Sequence, residues 1–329
     1  MQKAMNAPTL ERPEVSVIIV SYNTREMTLA CLSSVFEQSA STNIEVIVVD
    51  NASSDGSAEA IEKSFDEVSL TKSSENLGFA KANNLAARRA NGKYILLLNP
   101  DTVVLDNAIG RLLKFAKDNP NAGIWGGKTV FADGRLNPAS SWGFMSLSSL
   151  FFQAVGLSAM FRSTTFFNPE AYGGWKRDSV RRVDIITGCF LLITRNLWEQ
   201  LNGLDERFFM YAEEADLSYR AKALGARPLA TPTATIVHYG GASETARSGK
   251  IIKLLTGKAT FIRKHWNVIF SKFGILLLKS ATLVRLLGFS LVGFFTRDKK
   301  YTSVADEWWV IWNARKTWSS GYDLTEFKE

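Results

Sequence analysis

The first hundred residues alternate two hydrophobic patterns. Val15-Ser16-Val17-Ile18-Ile19-Val20 is an almost unbroken apolar, β-branched run, as a strand buried on both faces requires. Residues 44–49 and 94–98 repeat it, and 68–71 is a shorter version. Between these runs the spacing predicts helices over 27–38, 57–64 and 79–90, with Asn91-Gly92 stopping the last as a left-handed cap. Strand alternating with helix implies right-handed crossovers and a doubly wound α/β sheet. Later strands are expected at 123–127 and 183–193. Residues 144–161 carry no charge, but their serines and glutamine make them too polar for a membrane span, so a helical insertion on the acceptor side is expected.

Beyond residue 249 the pattern becomes basic and amphipathic. Residues 266–295 are strongly apolar but interrupted by Lys272, Lys279 and Arg285. The longest charge-free stretch there, 286–296, is eleven residues, well short of the ~20 of a spanning helix. Lys272 and Lys279 share one helical face; Arg285 falls off it unless Gly274 and Gly288 break the helix. Two readings stay open: a helical bundle packed on the core, or an interfacial anchor with cations toward anionic headgroups. Trp308, Trp309, Trp312 and Trp318 suit either.

Charge sharpens this division. The chain carries +7 over 329 residues, yet residues 247–300 contain twelve Lys or Arg and one acid, Asp298. That segment carries +11 and the remainder −4. The basicity is therefore local, which argues against nucleic acid as the partner. Two cysteines, Cys31 and Cys189, offer no disulfide framework and fit a reducing compartment. Residues 1–13 lack the apolar core of a signal peptide and are expected to form a disordered leader. The domains expected are a nucleotide-binding unit over 14–245 and a basic helical region over 246–329.

Each strong strand ends in polar residues: Ser21-Tyr22-Asn23, then Asp50-Asn51, then Asn99-Pro100-Asp101. Ligands of open α/β sheets bind beyond such ends. Farther on, Phe208-Phe209-Met210-Tyr211 runs directly into Glu213, Glu214 and Asp216. Side chains that want burial thus stand beside carboxylates that want water, as at a pocket rim that holds a general base. A charged first turn of a helix is the plainer alternative.

Several classes are excluded. No G-x-G-x-x-G follows the first strand, Ala122 stands where a P-loop ending in Gly127-Lys128-Thr129 needs glycine, and G-x-S-x-G is absent. Two histidines, His238 and His265, cannot build a His-rich metal site. Asp101 after a buried strand, with His238 before a glycine loop, suits a hard cation such as Mg²⁺ or Mn²⁺.

Taken in order, V-S-V-I-I-V-S-Y-N (15–23), V-V-D-N-A-S-S-D-G-S (48–57), N-L-G-F-A-K-A-N-N (76–84), L-L-N-P-D (97–101), T-G (187–188), F-F-M-Y-A-E-E-A-D-L (208–217) and H-Y-G-G-A-S (238–243) carry a resemblance. The chain resembles the family-2 inverting glycosyltransferases, rhamnosyltransferase-like members in particular. The resemblance implies a GT-A fold: a doubly wound mixed sheet flanked by helices, here with a C-terminal helical extension. It further implies that Ser21, Tyr22, Asn23, Asp50, Asn51, Asn76, Gly78, Phe79, Asn84, Asn99 and Asp101 bind the donor. Thr187 and Gly188 fall to the acceptor, and Asp101 and His238 to a divalent metal. Glu214 is implied as the catalytic base, with Glu213 and Asp216 beside it. Two departures are visible: Asn99 replaces the first acid of the D-x-D-type motif, and Glu214 stands where the family usually has aspartate, so the choice between Glu213 and Glu214 stays open.

The expected activity is transfer of a sugar, with rhamnose as a candidate, from a nucleoside-diphosphate donor to a glycan or lipid-linked acceptor in cell-surface polysaccharide synthesis. The expected location is cytoplasmic, peripheral on the inner face of the cell membrane. A sugar nucleotidyltransferase is one alternative, but Ser21-Tyr22-Asn23-Thr24 is no triphosphate loop. A catalytically silent nucleotide-sugar-binding scaffold is the other, supported by the two departures.

Overall fold

The computed structural model describes residues 12–240 and 246–323. Residues 1–11 of the expected leader, and Gly241-Ala242-Ser243 of the motif after His238, lie outside the described residues. Arg12 and Pro13 are tied to the sheet edge: Arg12 Nε donates to Asn91 O at 2.6 Å and Lys93 N donates to Pro13 O at 3.3 Å.

The chain begins β1 (Val15–Ser21), α1 (Arg25–Gln38), β2 (Ile44–Asp50), α2 (Ser57–Ser64), β3 (Val68–Lys72), α3 (Gly78–Ala87) and β4 (Tyr94–Leu98). Then come β5 (Thr102–Val104), α4 (Ala108–Asp118), β6 (Ile124–Val130), β7 (Leu136–Asn137), β8 (Ser141–Trp142), α5 (Leu147–Ala154) and α6 (Leu157–Met160). β9 (Arg181–Arg182), β10 (Ile185–Ile186), β11 (Phe190–Thr194), α7 (Arg195–Gln200), α8 (Glu213–Ala223) and β12 (Leu229–His238) complete the sheet region. Four helices follow: α9 (Arg247–His265), α10 (Val268–Thr296), α11 (Lys299–Asn313) and α12 (Arg315–Ser320).

The main sheet runs β3-β2-β1-β4-β11-β6-β12-β5, with β7 on β6 and β9 on β12. β1 to β4 are mutually parallel, whereas β11 lies antiparallel between β4 and β6, so the sheet is mixed. Strand alternation divides the core. Val17, Ile19, Val46 and Val48 face α1 and α4, while Ile18, Ile47 and Val49 face α3, α7 and α8. Because β1 pairs with both β2 and β4, the chain reverses its winding there and the ends at Ser21, Asp50 and Asn99 open into one crevice.

Three expectations change. Residues 183–193 are not one strand: β10 pairs with β8 in a separate two-stranded sheet, and β11 enters the main sheet. The break falls at Thr187-Gly188. There Thr187 spends its N–H and hydroxyl on the carbonyls of Ser140 and Ala139, and a Cβ on Gly188 would lie 2.8 Å from the Phe79 ring. Secondly, α3 stops at Ala87, and Gly92 is no left-handed cap; its small size serves close passage over Ser16, where a Cβ would lie 2.5 Å from the backbone N. Lastly, β6 begins one residue late and runs on to Val130.

The insertion at 144–161 is helical, as α5 and α6. The segments on either side of it are tied together by Arg177, which is 4% exposed and donates to the carbonyls of Pro138, Ser141, Ala171 and Trp175. Its guanidinium also lies 4.7 Å from the Trp175 ring centroid. The C-terminal block packs around Leu255, Ile262, Leu278, Trp308 and Trp318, and Leu150 of α5 enters the same core. α10 runs unbroken through Gly274 and Gly288. Arg285 turns inward instead, donating to Ala281 O and lying 5.4 Å from the Trp308 ring centroid.

Candidate active site

Five of the twelve buried side chains with an unpartnered polar atom, among the described residues, belong to Asp50, Asn99, Glu213, Glu214 and His238. Buried polar atoms are normally paired, so their concentration at the strand ends and at the start of α8 marks one region built to meet polar groups.

The crevice floor is itself well satisfied. Ser21 Oγ lies 3.0 Å from Thr28 Oγ1, and Asn23, at φ +51°, accepts from Ser54 N at 2.8 Å. Tyr22 is half-buried between them. Asp50 accepts from Ser53 N at 3.1 Å through Oδ2, leaving buried Oδ1 as an acceptor for a ligand N–H. Asn51 donates to Asn76 Oδ1 (3.0 Å) and Gly78 O (3.3 Å) and accepts from Leu77 N (2.8 Å). Asn76 also accepts from Gly78 N at 3.0 Å. Asn84 donates to Leu204 O and Glu206 Oε1 and accepts from Leu204 N at 2.9 Å. These amides shape loops rather than project into open space.

Through those loops the donor and acid segments meet. Phe79 N donates to Phe209 O at 2.8 Å. Gly78 has φ +75°, and a Cβ there would collide with the Phe209 carbonyl, so only glycine suits the crossing. The Phe79 ring lies under Gly188, which joins the expected donor and acceptor segments. Phe208 is buried whereas Phe209 is exposed.

The register of β5 on β12 sets His238 opposite Thr102, beside Asp101. His238 Nε2 lies 3.4 Å from Asp101 Oδ1 and 3.5 Å from Asn99 Nδ2, and Gly240 N donates to Asp101 Oδ2 at 2.9 Å. Burial works against both charges. Even so, Cys189 and Asp101 push the His238 pKa up to about 10, while His238 and the Gly240 N–H hold Asp101 below its ordinary value. Asn99 Oδ1 and His238 Nδ1 remain unpartnered. No group of three or more His, Cys, Asp or Glu among the described residues is arranged to hold a metal ion. One carboxylate, one imidazole, which gives up its proton on binding, and an amide oxygen fit a hard cation whose other ligands are phosphate oxygens and water; they do not fit an all-protein cage.

The segment entering α8 is strained. Tyr211 and Ala212 both adopt left-handed conformations, at φ +69° and +72°, which side chains with a Cβ seldom take. The acids that follow divide. Glu213 is 4% exposed, and burial together with the neighbouring Glu214 charge raises its pKa well above normal. Glu214 is half-buried and is raised by burial. Both leave Oε2 without a partner.

Asp216, one turn on from Glu213, is fully paired instead. It is fully buried and accepts from Arg220 Nε at 2.7 Å, Lys264 Nζ at 2.5 Å and His265 Nε2 at 2.7 Å. Burial opposes its charge, but these partners keep its pKa low. Lys264 also donates to Asp205 at 2.5 Å, and Arg220 reaches the carbonyls of Leu201 and Gly203. The pattern of acids alone groups Asp216 with the glutamates, yet its carboxylate serves as an anchor for α9. The clamp around it escapes sequence reasoning, which spreads Lys264 into a basic surface. Only the i, i+4 pair Asp216 and Arg220 is visible there. α9 braces the strained turn as well: a Cβ at Gly257 would collide with Tyr211 O, and Tyr322, which follows α12 and is held to α9 by its N–H on Thr260 Oγ1, donates through Oη to Met210 O at 2.8 Å.

Glycosyl transferase family 2 matches residues 16–183 of this chain. The O-antigen biosynthesis protein RfbC of Myxococcus xanthus is 25% identical over 256 residues, which are 75% of this chain but only 19% of that protein. An N-acetylglucosaminyl-diphospho-decaprenol L-rhamnosyltransferase of Mycobacterium tuberculosis is 29% identical over 240 residues, 68% of this chain and 75% of that protein. Among solved structures, the mannosyltransferase PcManGT from Pyrobaculum calidifontis, in complex with GDP-Man and Mn²⁺, superposes with a TM-score of 0.59 at 16% identity. That match covers 94% of this chain and 88% of the other and speaks to the fold.

Proposed function

This chain belongs to glycosyl transferase family 2, and on that premise we propose that it transfers a sugar from a nucleoside diphosphate with inversion at the anomeric carbon. The observation that carries this reading is the pair Glu213 and Glu214, buried without partners on Oε2 and tied through Phe209 to the donor loop at Gly78 and Phe79. Burial raises both carboxyls, and the Glu214 charge raises the more buried Glu213 further, so Glu214 is the member of the pair that ionises more readily. A charged carboxylate that keeps some exposure is suited to take the proton of an attacking acceptor hydroxyl. One base and one displacement invert the centre. Retention by double displacement needs a second carboxylate as nucleophile, and Asp216 is fully engaged elsewhere.

On this reading Asp50 Oδ1 accepts from the nucleobase, and Ser21, Tyr22 and Asn23 shape its cleft. Asp101 and His238 hold a divalent cation, Mg²⁺ or Mn²⁺, which when bound offsets the charge growing on the leaving diphosphate. Asn51, Asn76 and Asn84 position the loops that face the sugar, and Thr187-Gly188 forms the acceptor side. The mycobacterial relative supports rhamnose as the sugar and a lipid-linked or glycan acceptor. A lipid-linked acceptor would be met at a membrane, and the place proposed for this chain is peripheral on the inner face of the cell membrane. The test is turnover of a nucleotide-sugar panel with and without Mn²⁺, with the product anomer read by NMR. Transfer with inversion is expected; a retained anomer, or no transfer from any donor, would sink the reading.

A further inference from the structure

α10 is 29 residues long, or about 43 Å at 1.5 Å per residue. Ile269, Phe273, Leu276, Leu287, Leu291 and Phe294 are each more than half exposed, and Val284 is 47% exposed. With Val284 included, their successive spacings of three, four or eight place them in one stripe along the whole helix. Soluble surfaces rarely leave so long an apolar stripe uncovered. The opposite face packs on α5, α9 and α11. α5 and the turn after α6 expose Phe151, Val155, Met160 and Phe166 of their own.

The charges around this stripe select its occupant. α10 contains Lys272, Lys279 and Arg285 and no acid. Arg285 is spent on Trp308, whereas Lys272 and Lys279, seven apart, flank the stripe. Arg297, Lys299 and Lys300 stand exposed at its end, and Asp298 there is used to cap α11 through Lys300 N. A second copy would set the same cations against each other. An anionic bilayer offers hydrocarbon for the stripe and headgroup charge for the lysines. By length and apolarity the helix is able to cross a membrane. However, its inner face is sealed against three other helices, so it is not free to enter lipid on all sides.

We infer that α10 lies flat in the headgroup boundary of an anionic bilayer, apolar stripe down and Lys272 and Lys279 at the lipid phosphates. This rests on the membrane placement proposed above and fixes its face, lipid class and pose. α9 joins this block to α8 through Lys264 and His265, so the seat also fixes the height of the acid pair above the lipid.

The test is flotation of the full chain with vesicles of a roughly 1:3 mixture of phosphatidylglycerol and phosphatidylcholine, against phosphatidylcholine alone. Flotation only with the anionic vesicles is expected, weakening with salt and reversed by alkaline carbonate extraction. Phe273→Glu with Leu287→Glu, both surface changes, is expected to lower partitioning more than tenfold. Lys272→Gln and Lys279→Gln are expected to lower it by about fivefold each. If the chain floats but the glutamate variant floats equally, the face is wrong while the membrane placement stands. If nothing floats, both fail. Retention after carbonate would make α10 a spanning helix, and a dimer dissociated by the glutamate variant without flotation would assign the stripe to a second copy; either overturns the inference. Donor turnover on the same sample scores the transferase reading separately.

Discussion

The acids that open α8 treat the same chemical group in opposite ways. Glu213 and Glu214 are buried without partners on Oε2 and have raised pKa values. One turn on from Glu213, Asp216 is fully buried, has three cationic or imidazole partners and has a lowered pKa. Burial is common to all three, so the partners decide. A carboxylate given enough donors becomes a rivet; one denied them stays available for chemistry. The rivet also explains how strain at Tyr211 and Ala212 persists, since contacts at Asp216, Gly257 and Tyr322 hold the segment in place.

The sharpest way to break this contrast is to neutralise each kind of carboxyl. Glu214→Gln is expected to reduce kcat by about 10²–10⁴-fold with little change in donor KM. Glu213→Gln is expected to cost less, because burial and the Glu214 charge make Glu213 the harder of the two to ionise. Steady-state rates on both variants decide the assignment, and full activity in Glu214→Gln would reverse it. Asp216→Asn strips the clamp of its charge and leaves Lys264 and Arg220 poorly compensated. A loss of about 3–5 kcal/mol in urea unfolding is expected; an unchanged midpoint would show that the clamp contributes nothing.

Gly257→Ala probes the brace without touching a carboxylate. The added Cβ must displace Tyr211 O, and a shift of the acid pair is expected to lower kcat about 10- to 100-fold while nucleotide affinity holds. Normal kcat would uncouple α9 from the site.

The smallest and most discriminating effect is the sign of pH dependence. Asp216 has a lowered folded pKa, so its stabilisation is present above the unfolded carboxyl value and is lost as pH falls through the folded one. Glu213 has a raised folded pKa, so its contribution is favourable at acid pH and lost as pH rises from the ordinary value toward the folded one. Melting curves of Glu213→Gln should therefore show a gain at neutral pH that vanishes in acid. The loss in Asp216→Asn should shrink over the same descent. Parallel curves would mean that the two carboxyls share one environment.

Much of the sheet was legible because buried parallel strands are written as continuous apolar runs, and β4 and α2 fall on their expected bounds. That the ends of β1, β2 and β4 meet at one crevice was legible too, since polar residues close each of these strands. What sequence could not convey was which polar groups are already spent. Asn51, Asn76 and Asn84 look like ligand contacts along the chain, but their amides close loops. Nor could it show the clamp, whose members Asp216 and Lys264 are 48 positions apart. The run over residues 183–193 misled because periodicity reports burial, and both β10 and β11 are buried, though in different sheets.

Arg177 does beside the insertion what a bound cation does elsewhere. Four carbonyl groups converge on its guanidinium with no carboxylate in the set, a coordination pattern more familiar around a bound alkali ion. An ion in that place would come and go with the composition of the medium. Here the charge is tethered by its own side chain, so dilution cannot remove it and no competing ion can replace it. The wall it organises, from Pro138 to Trp175, should keep its shape across ionic conditions that loosen the exposed ion pairs of the surface.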